Sequence, residues 1–328
     1  MSGGVILYQK NITGVTQLLN LLNDLKAANA VNKIPLFLSV DEEGGRVSRL
    51  PDALVKLPAN QVIGRVNNST FSSQIGQVIA GELKAFGFNL NFAPVLDINS
   101  NPKNPVIGDR AFGNNPQVVS KLGVATMKGL QAGGVIPAVK HFPGHGDTAV
   151  DSHVGLPRVD HDLARLRRFE LLPFREAIKN GAEAVMVAHI LLPKIDPTYP
   201  ASMSREIITD LLKNELQFTG LVVTDDMTMG AITENYSVDQ ATVQSIQAGS
   251  DLVLVCHDYE KEAAVLEAIK KAVDDGTIPV SRIEASVYKV LKLKQKYSLK
   301  DQPVDTVNVA ALNQKINSVL KAYLPSAR

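Results

Sequence analysis

Along this chain, short apolar runs rich in β-branched residues alternate with longer stretches in which apolar residues recur every three or four positions. The short runs read as strands buried on both faces, and the longer ones as the amphipathic helices that cover them. Seven such strands are predicted: "GGVILY" (3–8), "PLFLSVD" (35–41), "LNFAPVLD" (90–97), "IPAVKHF" (136–142), "AVMVAHI" (184–190), "LVVTDDM" (221–227) and "DLVLVC" (251–256). Helical patterns fill the intervals: "VTQLLNLLNDLKAAN", "SSQIGQVIAGELKAFG", "PQVVSKLGVATMKGLQAGG", "LRRFELLPFREAIKNG" and "REIITDLLKNELQF", several closed by Gly or Asn as helix ends prefer. Beyond residue 257 the pattern is helical throughout, with "YEKEAAVLEAIKKAVDDG", "SRIEASVYKVLKLKQKYS" and a last helix near 308–323.

The repeating β-then-α order predicts an α/β fold, either a (β/α)8 TIM-type barrel or an open doubly wound sheet. Polar residues favour the barrel. "SVDEEGGR", "VLDINSNP", "VKHFPGHGD", "VAHILLP" and "VTDDMTMG" each place a charged or imidazole side chain at the carboxyl end of a different strand. A barrel gathers all such ends at one mouth, whereas an open sheet offers them only at its switch point. Seven strands are one short of a closed barrel, so the barrel is expected to lack its first strand and helix. Two unfilled strand edges would then predict low stability or association through the edge. Residues 1–300 are expected to form one catalytic barrel domain, with 301–328 a helical tail packed on it. The largest loop is "NSNPKNPVIGDRAFGNNP" (99–116).

Composition narrows the partners. The 34 basic residues nearly cancel the 33 acidic ones, and no Lys/Arg run is dense enough to track a phosphate backbone, which argues against nucleic acid. The single cysteine, Cys256, follows an apolar strand and reads as a buried thiol rather than a nucleophile. No stretch of about 18 apolar residues offers a membrane span, and the first residues lack a signal-peptide pattern. The expectation is a cytoplasmic monomer, or a secreted or surface-anchored protein if a leader has been removed.

The segment "KHFPGHGDTAVDSH", residues 140–153, holds three of the six histidines. It has three readings. As a metal site it offers His141, His145, Asp147, Asp151 and His153, although Pro143, Gly144 and Gly146 forbid the helix that would put His141 and His145 on one face. As plain structure, Gly and Pro shape a tight loop that its polar groups cap. As a catalytic site, Asp151 and His153 lie two apart on one side of an extended or turn segment, where the carboxylate can fix the imidazole tautomer and raise its basicity. A proton shuttle needs a partner, and "VVTDDMTMG" supplies Asp225 and Asp226. Strand neighbours point to opposite faces, so one of the two can aim at a pocket. Structural alternatives stand beside other candidates: an ion pair between Asp41 and Arg46 beneath the Gly44-Gly45 turn, and a solvated surface charge for Arg110.

"KHFPGHGDTAVDSH", "DEEGGRVSR", "GDRAFG", "AHILLP" followed by "PASMS", and "VVTDDMTMGAI" resemble the signature segments of the bacterial glycoside hydrolase family 3 β-N-acetylglucosaminidases, from about residue 3 to about 295. The resemblance implies a retaining exo-β-N-acetylglucosaminidase acting on muropeptides or chito-oligosaccharides, with no metal and no cofactor. It assigns Asp225 as nucleophile, His153 as general acid/base and Asp151 as its orienting partner. Asp41, Arg49, Arg110, Lys140 and His141 become the sugar-binding residues; His145 shapes the loop, and His189 takes a supporting or rim position. Arg49, Arg110 and Lys140 are expected to keep Asp225 ionised. Three rivals remain: a phosphorylase, because a histidine acid/base does not repel phosphate; a non-catalytic sugar-binding barrel; and a β-glucosidase.

Overall fold

The computed structural model describes residues 3–324. Every predicted apolar run contains a strand: β1 Gly4–Leu7, β2 Phe37–Val40, β3 Leu90–Asn91, β4 Ile136–Phe142, β5 Ala184–Val187, β6 Leu221–Asp226 and β7 Leu252–Leu254. All pair in parallel, and their order across the sheet is their order in the chain. A doubly wound sheet would reverse its order at a switch point. This one-way winding has none and curls in the barrel manner, with seven strands among the described residues.

The edges, β1 and β7, are half-buried along most of their length, whereas the strands between them are almost wholly buried. They meet across a seam without a shared hydrogen-bond ladder. Ile6, Leu252 and Leu254 belong to one apolar cluster, the rings of Tyr8 and His257 lie 5.4 Å apart, and Lys10 Nζ stands 2.9 Å from His257 Nδ1.

Strand side chains alternate faces, and the alternation sorts the core. Phe37, Leu90, Ile136, Ala138, Ala184, Met186, Leu221 and Val223 share the cluster inside the sheet. Their neighbours Leu38, Val40, Val139, Val185, Val187 and Val222 pack outward against the helices. Continuing each inward series by two residues gives Phe37-Ser39-Asp41, Ile136-Ala138-Lys140 and Leu221-Val223-Asp225. The strands thus deliver Asp41, Lys140 and Asp225 to the carboxyl mouth.

The helices are α1 Val15–Ala28, α2 Asn60–Val66, α3 Ser69–Phe86, α4 Pro116–Ala132, α5 Leu163–Arg168, α6 Leu172–Lys179, a wide π-type helix Glu206–Glu215, α7 Gly230–Thr233, α8 Val238–Ala248, α9 Tyr259–Asp274, α10 Val280–Lys296 and α11 Val309–Tyr323. Asn115 caps α4, its side chain accepting from Gln117 and Val118 N–H, and Pro116 follows where a missing N–H costs nothing. Helix α10 closes the bottom of the barrel: Leu293 enters the interior cluster, and Lys294 Nζ donates to the carbonyls of Gly3 (2.7 Å) and Pro35 (2.6 Å). Helix α11 lies on α3, with Ile316 buried and Tyr323 stacked on Phe71.

Some expected elements differ. The helix expected over "LRRFELLPFREAIKNG" is two, α5 and α6, broken at Phe169–Leu171, because Pro173 can begin a helix but not continue one. The strand expected over 90–97 pairs only at Leu90–Asn91; Pro94 lacks an N–H for the ladder, and Val95 bridges once more to Lys140. Among the described residues no helix is long and apolar enough to cross a membrane.

Candidate active site

All eight predicted site residues line one cavity of about 490 Å³ at the carboxyl ends of the strands. Its wall is an ion network. Lys140 Nζ donates to Asp41 Oδ1 at 2.5 Å and to Glu43 Oε1 at 2.7 Å. The Arg110 guanidinium forks onto both Glu43 oxygens at 2.8 and 2.7 Å. These groups are buried, with side-chain exposures of 3% for Lys140, 1% for Glu43 and 10% for Arg110. Burial would push the Glu43 carboxyl up, but Arg110 and Lys140 outweigh it and hold it well below the carboxylate range. Burial would lower Lys140, and Asp41 and Glu43 raise it instead. A buried ion set stays ionised only when paired this closely.

Two expected alternatives are overturned here. Arg110 is no solvated surface charge, because residues 104–110 fold back and its fork closes on Glu43. Asp41 and Arg46 do not pair with each other. Asp41 takes Lys140, while Arg46 reaches Asp109 Oδ1 at 2.8 Å and the Val106 carbonyl at 2.5 Å.

His141 leaves the strand alternation through a register shift between Val139 and Phe142, a bulge that lets Lys140 and His141 both reach the cavity. Its Nδ1 donates to Asp97 Oδ2 at 2.6 Å, which leaves Nε2 toward Arg110 Nη2 at 3.4 Å. Asp97 Oδ1 also accepts the His145 N–H at 2.6 Å. His145 uses both ring nitrogens locally, on Thr148 Oγ1 at 2.8 Å and Ser152 Oγ at 3.2 Å. Burial, helped by His141, pushes it down to about 4, so it is neutral at physiological pH. His145 therefore shapes the loop, and the histidines of this segment turn to different partners rather than to a common ligand point.

Arg49 sits in the cavity wall with its Nε buried and without a hydrogen-bond partner among the described residues. Its turn is held by Glu42, whose Oε2 accepts from Ser48 Oγ (3.0 Å) and from the N–H groups of Arg49 (2.8 Å) and Leu50 (3.4 Å).

Of the two aspartates, Asp225 ends the inward series. Asp226 is structural, accepting from Thr228 N–H at 2.9 Å, Thr228 Oγ1 at 2.7 Å and Cys256 N–H at 3.1 Å. Burial would raise the Asp225 carboxyl, but His189, His141, the Asp226 N–H and Lys140 outweigh it and hold it low. Lys140 contributes as expected, but the imidazoles lead. His189 is wholly buried rather than on the rim. Its Nε2–H donates to the Asp226 carbonyl at 2.9 Å, and its Nδ1 meets Ser202 Oγ at 2.6 Å, so it braces the backbone next to Asp225. Burial first, then Asp226, raises the Cys256 thiol, which removes it as a nucleophile.

The remaining pair stands in water. Asp151 Oδ1 accepts from His153 Nδ1 at 2.7 Å and from the His153 N–H at 2.9 Å. The side chains are 66% exposed for His153 and 35% for Asp151. His153 outweighs the burial that would raise Asp151, whose carboxyl is held low. With Nδ1 donating, Nε2 is the nitrogen left to exchange a proton. Glu43 and Asp97 were not singled out from the sequence. Both lie inside motifs quoted for other residues, and only their long-range partners reveal them.

These features define an α/β protein of barrel type whose polar chemistry is collected in one cavity at the mouth of a one-way parallel sheet. Residues 1–293 match the Glycosyl hydrolase family 3 N terminal domain, and the chain belongs to that family. It is 36% identical over 340 residues to Beta-hexosaminidase A of Pseudoalteromonas piscicida, covering 96% of this chain and 56% of that protein. It is 36% identical over 302 residues to the Beta-hexosaminidase of Nitrosomonas eutropha, covering 89% and 85%. The solved structure of a glycoside hydrolase family 3 beta-N-acetylglucosaminidase from Paenibacillus sp. superposes with a TM-score of 0.91 at 41% identity, over 98% of this chain and 62% of that one. The chain thus spans little more than half the length of the first of these relatives.

Proposed function

We propose that this protein is a retaining exo-β-N-acetylglucosaminidase that releases terminal β-linked N-acetylglucosamine from muropeptides or chito-oligosaccharides. The observation that carries the reading is the cavity itself: a low-lying carboxylate, Asp225, shares it with a carboxylate-oriented imidazole, His153, and with a wall of polar groups of a size to hold one sugar. Asp225 attacks the anomeric carbon while His153, protonated, gives its proton to the leaving oxygen. A covalent glycosyl-aspartate results, and neutral His153 then takes a proton from water as that water displaces Asp225. Asp151 holds the imidazole in the tautomer both steps need. Asp41, Arg49, Arg110, Lys140 and His141 grip the hydroxyls and the acetamido group.

The test is nitrophenol release from the β-N-acetylglucosaminide and the β-glucoside, with and without phosphate, for the wild type, Asp225→Ala and His153→Ala. Turnover of the acetamido sugar alone, independent of phosphate, abolished by Asp225→Ala and reduced by His153→Ala, supports the reading. Phosphate-dependent release of a sugar 1-phosphate would make the protein a phosphorylase, and full activity in either variant would remove that residue's role.

A further inference from the structure

The loop that carries the dyad is fastened at two places. At its root, Asp97 takes the His145 N–H, and the His145 ring holds Thr148 and Ser152. Asn104 Nδ2 donates to the His145 carbonyl at 2.8 Å, while Asn104 Oδ1 accepts from Val106 and Ile107 N–H. At its tip, the loop backbone lies on the start of α7: the Ser152 carbonyl accepts from Ala231 N–H at 3.1 Å and the His153 carbonyl from Gly230 N–H at 3.3 Å. These two bonds join the acid/base segment to the chain that runs on from Asp225.

At Gly230 the three atoms nearest to where a Cβ would stand all belong to that loop backbone. Gly230 is the first residue of α7 and its φ is outside the left-handed region, so the helix itself would accept alanine. A Cβ there would stand 2.7 Å from the His153 carbonyl oxygen and 2.9 Å from that of Val154. Both distances are too short for a real contact, and both obstacles belong to the loop backbone.

We propose that Gly230 is a positioning residue, a side-chain-free seat on which the loop docks to bring His153 into register with Asp225. The inference rests on the assignment of His153 as acid/base. With the seat blocked, the loop stays undocked, the wall still binds the sugar, and proton delivery to the leaving oxygen fails. A seat of this kind affects substrates according to how much they need an acid.

The test compares wild type, Gly230→Ala, Ser152→Ala and His153→Ala on the dinitrophenyl and the unsubstituted phenyl β-N-acetylglucosaminides, with melting temperature and inhibition by free N-acetylglucosamine as controls. Gly230→Ala is expected to lose about 10- to 100-fold in kcat/KM, which reports the step that expels the aglycone, on the phenyl glycoside, with far less lost in kcat/KM on the dinitrophenyl compound. Sugar inhibition and melting temperature should stay near wild type, and amide exchange at Val154 and Gly155 should quicken. Ser152→Ala, which cuts the root tether without touching the seat, should show a weaker form of the same pattern. Equal losses on both substrates, or no loss, while His153→Ala shows leaving-group dependence, would overturn the seat alone. A His153→Ala variant without leaving-group dependence would overturn the acid/base assignment and the seat with it.

Discussion

The cavity is bounded by a wall of buried ions, Asp41, Glu43, Asp97, Arg110 and Lys140, and by a loop whose dyad sets an exposed His153 on a half-buried Asp151. The wall is cross-braced over long sequence distances, and each of its charges has a partner within 2.8 Å. At its tip the loop is held by the Asp151 carboxylate and two backbone bonds to α7. The difference matches two tasks. Recognising a sugar calls for groups fixed before it arrives, because donors that need no reorganisation bind and discriminate best. Passing a proton to a departing aglycone calls for a group that can yield space. On the proposed function, the exposed half would set turnover, and the buried half both binding and stability.

The sharpest break in that division is expected at Asp225, which belongs to neither half. Asp225→Asn removes the attacking electron pair and should lower turnover by ~10⁴-fold or more, while binding of N-acetylglucosamine persists, as read by ligand-induced change in melting temperature. Next stands Glu43. Glu43→Gln leaves Lys140 and Arg110 buried with one anion too few, and removing a partner from such a set costs about 3–5 kcal/mol. A melting temperature lowered by roughly 10 °C is expected, with sugar affinity falling alongside. The matching change on the loop, Asp151→Asn, should leave the melting temperature within about 1 °C, since exposed pairs contribute little. A stable Glu43→Gln protein with normal sugar affinity would show that the wall is not the scaffold described.

Smaller in stability but not in rate is His153→Ala, with ~10²-fold or greater loss on poor leaving groups and an unchanged fold by circular dichroism. If its melting temperature fell as far as that of Glu43→Gln, the two halves would not differ as their burial says.

How much of this was legible in the chain follows the same line. Strand parity says that only one of Asp225 and Asp226 can aim at a pocket and the resemblance picks Asp225; once the interior cluster fixes the inward face, the same parity points Asp225, Asp41 and Lys140 to the mouth. The dyad was legible locally, its members being two residues apart. Glu43 and Asp97 were not, because what distinguishes them is a partner met across the fold: Glu43 closes on a residue 67 positions away. Gly230 was hidden as well. A glycine at the start of a helix looks unremarkable until the backbone that passes over it is known. The expected pairing of Asp41 with Arg46 failed because proximity in sequence was used where the Gly44 and Gly45 turn sends the two side chains apart, with φ of 81° and 57° at the glycines.

Behind the wall stand two carboxyls that carry the comparison into pH. Glu42 holds the Arg49 turn, yet burial outweighs the hydrogen bonds it accepts from Arg49, Ser48, Leu50 and Gly44 and pushes it up to about 7. Glu82, on α3 and 3% exposed, has an oxygen without a partner among the described residues, and burial with Glu42 nearby pushes it up to about 9. Both folded-state values exceed the ordinary 4.5, so the native protein holds protons that the unfolded chain releases. Their stabilising effect is full below about pH 4.5 and is lost as pH rises through 7 for Glu42 and 9 for Glu82. Stability should therefore decline from pH 5 to pH 9, against the trend set by Glu43 and Asp97, whose low values act only in acid. Glu82→Gln keeps the shape and removes the titration. It should raise the melting temperature by several degrees at pH 8, an effect of a few kcal/mol at most, and make little difference at pH 5, with activity unaltered because Glu82 does not line the cavity. A melting curve for Glu82→Gln that shifts equally at both pH values would place the neutral carboxyl elsewhere and leave the ionised wall as the only titrating part of the core.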